Sequence, residues 1–309
     1  MRRGLFLVVL LAACQRQPAG GGPRGPVQEG RVLLEQGQLD AALAKLAQAP
    51  NDADSLYYQG LVWARKAAAA PPPTPVPTTS PRGASPPPEA EFKAEEVQAL
   101  GLFDRAIAAR PPHPLAHIAI GELLAPHAIR RHQLEQEARK HPGHRPGRRE
   151  SPPPEEPDYS VDRTLGEFQK GLSGATSKAA AESLVRFAVA VDRMDAAQAA
   201  HEKLIEANKT DPQALIDYGD FLARDKKDPE AAVEQYKTAM VWHPEDETTK
   251  GKIADLYLAM AEDHYARHEY ALAEARYREA EKFITDRRSA RGARLRDGQG
   301  RLGQIRPQR

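Results

Sequence analysis

Small and large apolar positions recur at one spacing along this chain. In "AEEVQALGLFDRAIAARPPHP", Ala99, Phe103, Ala106 and Pro111 lie four, three and five residues apart, and in "DPEAAVEQYKTAMVWHPED" Ala232, Tyr236, Ala239 and Pro244 repeat that spacing. Steps of four and three place the first three residues on one helical face, and the proline falls just past the helix end. Ala273, Tyr277 and Ala280 in "HEYALAEARYREAEKF", and Ala42, Leu46 and Ala49 in "GQLDAALAKLAQAP", show the same stripe without the proline in register. A stripe that returns four times predicts a helical repeat protein.

Each stripe predicts the second helix of a hairpin, so a first helix should precede it. Gly219 and Leu222 mark one in "DPQALIDYGDFLARDKK", with one extra residue in the following turn. Gly30 and Leu33 mark another, and Ala261 and His264 a third. Gly60 and Trp63 in "NDADSLYYQGLVWARKA" are the front half that belongs to the Ala99–Pro111 helix, displaced by a proline-rich insertion at about 67–94. Gly121 and Leu124 likewise pair with Phe168 and Gly171 across a second insertion at about 125–158. A sixth hairpin joins "SKAAAESLVRFAVAV" to "DRMDAAQAAHEKLIEANK", with Ala197, His201 and Leu204 in register and a histidine in the aromatic slot. Both insertions fall at the turn inside a repeat, so both should leave one edge of a stack. Long loops at such turns cost little, because closure entropy grows slowly with length.

These slots resemble the tetratricopeptide repeat, a helix-turn-helix unit of about 34 residues. In physical terms the glycine or alanine admits a close neighbour, the large residue fills the space between helices, and the proline stops the second helix. The resemblance implies an all-α solenoid of about six repeats over 27–286, with first helices lining a groove that binds proteins. Applied here, it offers Arg31, Tyr57, Arg65, Glu122, Asp220, Arg224 and Glu262 as exposed groove positions. The lysine and asparagine pair that clamps a C-terminal carboxylate in chaperone-binding members has no counterpart here, so that chemistry does not carry over.

Composition agrees with this picture. Charged residues make up 28% of the 309 and aromatics 6%, while the 27 prolines are clustered rather than scattered. A formal net charge of +1 gives no global signal for nucleic acid. The opening "MRRGLFLVVLLAACQRQ" reads as a secretion signal over 1–13, and Leu11-Ala12-Ala13-Cys14 resembles the bacterial lipobox, which implies lipidation of Cys14. A flexible tether at 14–26 would then hang the body from a membrane, with Gln15 pointing to the periplasmic face of the outer membrane. The segment 287–309 carries eight arginines against one aspartate. It offers an alternative function, a structural anchor that binds cell-wall or another anionic polymer through basic loop and tail.

No catalytic arrangement presents itself. The single cysteine is committed to lipid, and "AGGGPRGP" lies outside any strand-to-helix phosphate loop. His113 with His117, and His264 with His268, have helical ligand spacing but lack a third ligand, so they read as packing residues. His127, His132, His141 and His144 fall in the expected second insertion as loose metal candidates. The expectation is a non-enzyme with protein partners in the cell envelope and with no cofactor, metal, nucleic acid or small-molecule substrate.

Overall fold

The computed structural model describes residues 25–70, 92–140, 157–174, 177–208 and 211–305, and among these are thirteen helices and no strand. The chain forms two compact units, Met1–Ala200 and His201–Arg309. Cys14, the expected signal at 1–13, most of the tether and His141 and His144 lie outside the described residues.

In the first unit the hairpins are α1 (Pro26–Glu35) with α2 (Leu39–Leu46), α3 (Ala53–Ala69) with α4 (Ala94–Ala109), and α5 (Pro114–Lys140) with α6 (Val161–Gly174). Helix α7 (Lys178–Ala190) follows, paired in sequence with α8 (Met194–Ala207), within which the unit ends. The second unit holds the remainder of α8, then α9 (Pro212–Phe221) with α10 (Pro229–Met240), α11 (Glu247–Ala266) with α12 (Tyr270–Glu281), and α13 (Ala290–Ile305). Short polar side chains start these helices by accepting from otherwise orphaned amides: Asp52 from Ser55, Ser177 from Ala180, Asp211 from Gln213 and Asp228 from Ala231. Prolines at the first helical position of α1, α9 and α10 supply a ready-made helical φ.

The expected small-to-large lock holds four of the hairpins together. A Cβ on Gly219 would stand 2.6 Å from the Tyr236 ring, and one on Gly60 would run into Phe103, so these first helices approach as closely as only glycine permits. Gly30 meets Leu46 and Gly121 meets Phe168 in the same way. Ala42, Ala99, Ala106, Ala232, Ala239, Ala273, Tyr277 and Ala280 are all buried beside them, and Trp63 is half-buried under the Lys66 ammonium. Pro111 and Pro244 are exposed and act as stops. The extra residue in the fifth repeat is absorbed as a π-helical turn, Leu222–Lys226, which closes with Lys227 in the left-handed region at φ 60°.

Three boundaries differ from expectation. Helix α3 runs through Ala69, three residues into the expected first insertion. Helix α5 continues through Pro126 to Lys140, so residues 125–140 are helical rather than part of a loop. Pro126 removes one amide donor, but its ring is exposed, and the residues beyond it are held from outside the helix. His127 stacks on Phe92 at 3.8 Å and approaches Glu96 at 3.3 Å, while Tyr159 leans on both rings. His132 reaches Asp192 at 3.6 Å. Phe92 and Tyr159 thus both meet the ring of His127.

The third difference is the arginine segment. Residues 290–305 form α13, which packs on α11 and α12 with Leu295 buried and Gly298 against the Tyr277 ring.

Candidate functional site

The first helices of each unit form a wall, and the residue after the small slot repeatedly faces the next first helix. In the second unit Asp220 on α9 accepts from Lys252 Nζ on α11 at 2.6 and 2.7 Å, and from the Tyr236 hydroxyl at 2.6 Å. Glu262 on α11 accepts from Arg294 on α13 at 2.9 and 3.1 Å, and Asp255 accepts from Arg291 at 2.7 Å. In the first unit the Leu34 carbonyl on α1 accepts from Arg65 on α3 at 2.6 Å, and Glu122 on α5 accepts from the Ser183 hydroxyl on α7 at 2.9 Å. In every brace the acceptor lies on the earlier helix and the donor on the later one.

Two of the seven expected groove positions are corrected by burial. Tyr57 is 1% exposed and lies against the rings of Tyr58, Phe103 and His113. Glu122 is 5% exposed, because α7 covers it. The other five keep some exposure, but four of them are engaged: Arg31 with Glu35 within α1, and Arg65, Asp220 and Glu262 in braces. Arg224 pairs with its neighbour Asp225 and keeps a side chain 76% exposed.

The buried titratable groups differ in kind between the units. Burial pushes the Glu122 carboxyl up to about 7, against the pull of Ser183 and the Arg186 charge, which would lower it. In the second unit burial pushes the His201 imidazole down to about 4, against Asp217 and Asp225. Its ring stacks on Tyr218 at 5.3 Å and tilts against Phe221 at 5.1 Å, so this histidine fills the aromatic slot as a neutral ring.

The histidine pairs do not converge. His113 is buried, accepts from the Ala116 amide and faces Asp54 at 3.6 Å, whereas His117 faces Glu167 on α6 at 2.7 Å. His264 pairs with Glu269, and His268 sits at φ 63° beside the Tyr270 hydroxyl. His127 and His132, expected in a loop, are helical and face separate carboxylates. Among the described residues no group of three His, Cys, Asp or Glu is arranged to hold a metal.

Sequence reasoning missed the donors Ser183, Lys252, Arg291 and Arg294. A signal existed: Arg65 follows Leu34 by 31 residues, and Lys252 and Arg294 follow their acids by 32, close to one repeat. It also passed over Val241 and Trp242, 78% and 50% exposed between α10 and α11. The tryptophan just before His243 and Pro244 was visible as an aromatic outside every slot.

No family model matches the chain, and no curated protein matches it. Its fold is similar to the tetratricopeptide repeat protein TTC0263 of Thermus thermophilus, at 14% identity and TM-score 0.38, covering 75% of this chain and 96% of that one. It is similar also to YrrB, described as a tetratricopeptide repeat protein with an unusual peptide-binding site, at 15% and 0.39 over 72% and 88%. A third neighbour is a tetratricopeptide repeat protein of Parabacteroides merdae, at 12% and 0.40 over 89% and 97%. All three are described as tetratricopeptide repeat proteins.

Proposed function

We propose that this protein is a non-catalytic scaffold that holds partner proteins along its first-helix walls. The observation that carries the reading is the brace between successive first helices, which fixes their spacing while leaving side chains such as Arg224 facing solvent. A wall of fixed spacing binds with less ordering cost than a mobile one. Its mixed charge suits a protein surface better than a uniform polyanion. Four arginines of the C-terminal segment, Arg287, Arg291, Arg294 and Arg301, sit in acidic pairs, which takes up charge that the alternative anionic-polymer anchor needs.

The location belongs to the same proposal. Lipid on Cys14 would tether the scaffold to the bacterial envelope, on the periplasmic face of the outer membrane. No helix among the described residues is long and apolar enough to cross a membrane. Cys14→Ser should move the full chain from the membrane fraction to the soluble fraction, and retention in membranes would remove the lipid anchor from the account.

A photocrosslinking residue tests the wall. Placed at Arg65 or Arg224 in the full chain within its native envelope, it should trap a discrete protein partner, whereas the same residue at exposed Lys282 should not. Equal trapping from Lys282, or none from the wall positions, overturns the reading.

A further inference from the structure

Among the braces of the described residues, the side-chain acid Glu122 is answered by a hydroxyl instead of a cation. Ser183 Oγ donates to Glu122 Oε1 at 2.9 Å, and the same Oγ accepts from Arg186 Nη2 at 3.0 Å. The second carboxyl oxygen, Oε2, is buried with no hydrogen-bond partner among the described residues. A carboxyl left half-satisfied in an apolar surround favours its neutral form, and an ionised one there must find a cation. The nearest guanidinium stands one hydroxyl away, on a side chain that is 40% exposed.

We propose that Glu122, Ser183 and Arg186 form a proton-operated joint between the first helices α5 and α7. When Glu122 loses its proton to solvent, the carboxylate draws the Arg186 guanidinium off Ser183 and pairs with it directly. The cation then leaves the solvent side of the wall. Protonation reverses the step and returns Arg186 to the hydroxyl. The joint thereby couples pH to the charge that α7 presents, and its regulatory meaning rests on the wall as the binding surface.

The surrounding charges leave this pairing to Arg186. Helix α3 turns Asp54 toward Arg110 and His113, and α4 turns Glu96 toward His127. Asp104 on α4 feels Arg163, Glu167, His117 and Lys170, and α6 directs Glu167 to His117 and Lys170. On α7 itself Glu182 lies 3.9 Å from Arg186, a looser pair than a direct one with Glu122 would be. Arg186 is the charged group that bears on Glu122, and burial places the carboxyl at about 7, where modest pH changes move it.

The test is an NMR titration of the full chain, labelled at glutamate carboxyls and arginine side chains. The Glu122 signal is assigned by its loss in Glu122→Gln. It should titrate with a midpoint about 7, and the Arg186 guanidinium signal should shift with the same midpoint. Arg186→Gln should raise the Glu122 midpoint by about half a pH unit or more, because the ionised form loses its cation. An Arg186 signal that stays flat through the Glu122 titration overturns the joint. So does a Glu122 midpoint near 4.5, its ordinary value, or one that Arg186→Gln leaves in place. None of these readouts needs a partner, so failure of the wall to crosslink would leave the joint standing.

Discussion

The two compact units use one device with different chemistry. In the second unit, Asp220 and Glu262 follow the small slots Gly219 and Ala261, and each is answered by a cation from the next first helix. In the first unit Glu122 follows Gly121 and is answered by Ser183. The pairs of the second unit stay part-exposed, where an ion pair adds about 0–1 kcal/mol and sets register more than stability. The pair of the first unit is buried, so its protonation state becomes part of its stability. One slot can therefore hold a passive spacer or a titrating group, depending on what the next repeat brings.

The most damaging change to both units should be loss of a large lock residue. Phe103→Ala in the first unit and Tyr277→Ala in the second should each cost about 3–5 kcal/mol in urea unfolding, because both rings are wholly buried between helices. A cost confined to one of them would break the claim that the lock is common to both units.

His201 provides the acid-side contrast. Its imidazole is held down at about 4 when folded, against an ordinary value of 6.5, so the unfolded chain takes up the proton first. Stability present above pH 6.5 should fall as pH drops toward 4, by on the order of 3 kcal/mol. His201→Phe should remove that acid slope while keeping the ring stack on Tyr218, and an unchanged slope would assign it to other groups.

Gly60→Ala and Gly219→Ala come next, at about 1–3 kcal/mol each, since the added methyl meets an aromatic ring rather than open space. Gly101→Ala, with nothing within 4 Å of the new Cβ, should by contrast be neutral or mildly stabilising. Lys252→Met should be the smallest effect, under about 1 kcal/mol and shrinking further in salt, as a part-exposed pair requires. A large, salt-independent loss would mean that the second unit's braces resemble the buried one.

Much of this architecture was legible because it is local. Gly219 with Tyr236 and Gly60 with Phe103 reveal themselves by size and spacing, even across an insertion, and the surplus residue after Leu222 announced the turn that became π-helical. The groove was less legible, because exposure depends on what a distant helix lays over a residue. Glu122 looks exposed on α5 alone and is buried only once Ser183, 61 residues later, arrives on α7. The same limit hid the pairing of the α13 arginines, which shows only once Asp255 and Glu262 are seen opposite them. A second insertion was expected from about 125, and the helix persists there, where Phe92, Glu96 and Tyr159 gather around His127.

The stability of the wild-type chain and Glu122→Gln, compared from pH 4.5 to 7 by urea unfolding, tests the difference between the units most directly. A carboxyl raised to about 7 in the folded state contributes stability that is full below its unfolded value of 4.5 and lost as pH rises toward 7. The wild type should therefore lose on the order of 3 kcal/mol relative to Glu122→Gln across that window. Parallel curves for the two proteins would contradict the account, and would make the Glu122 brace as passive as those of Asp220 and Glu262.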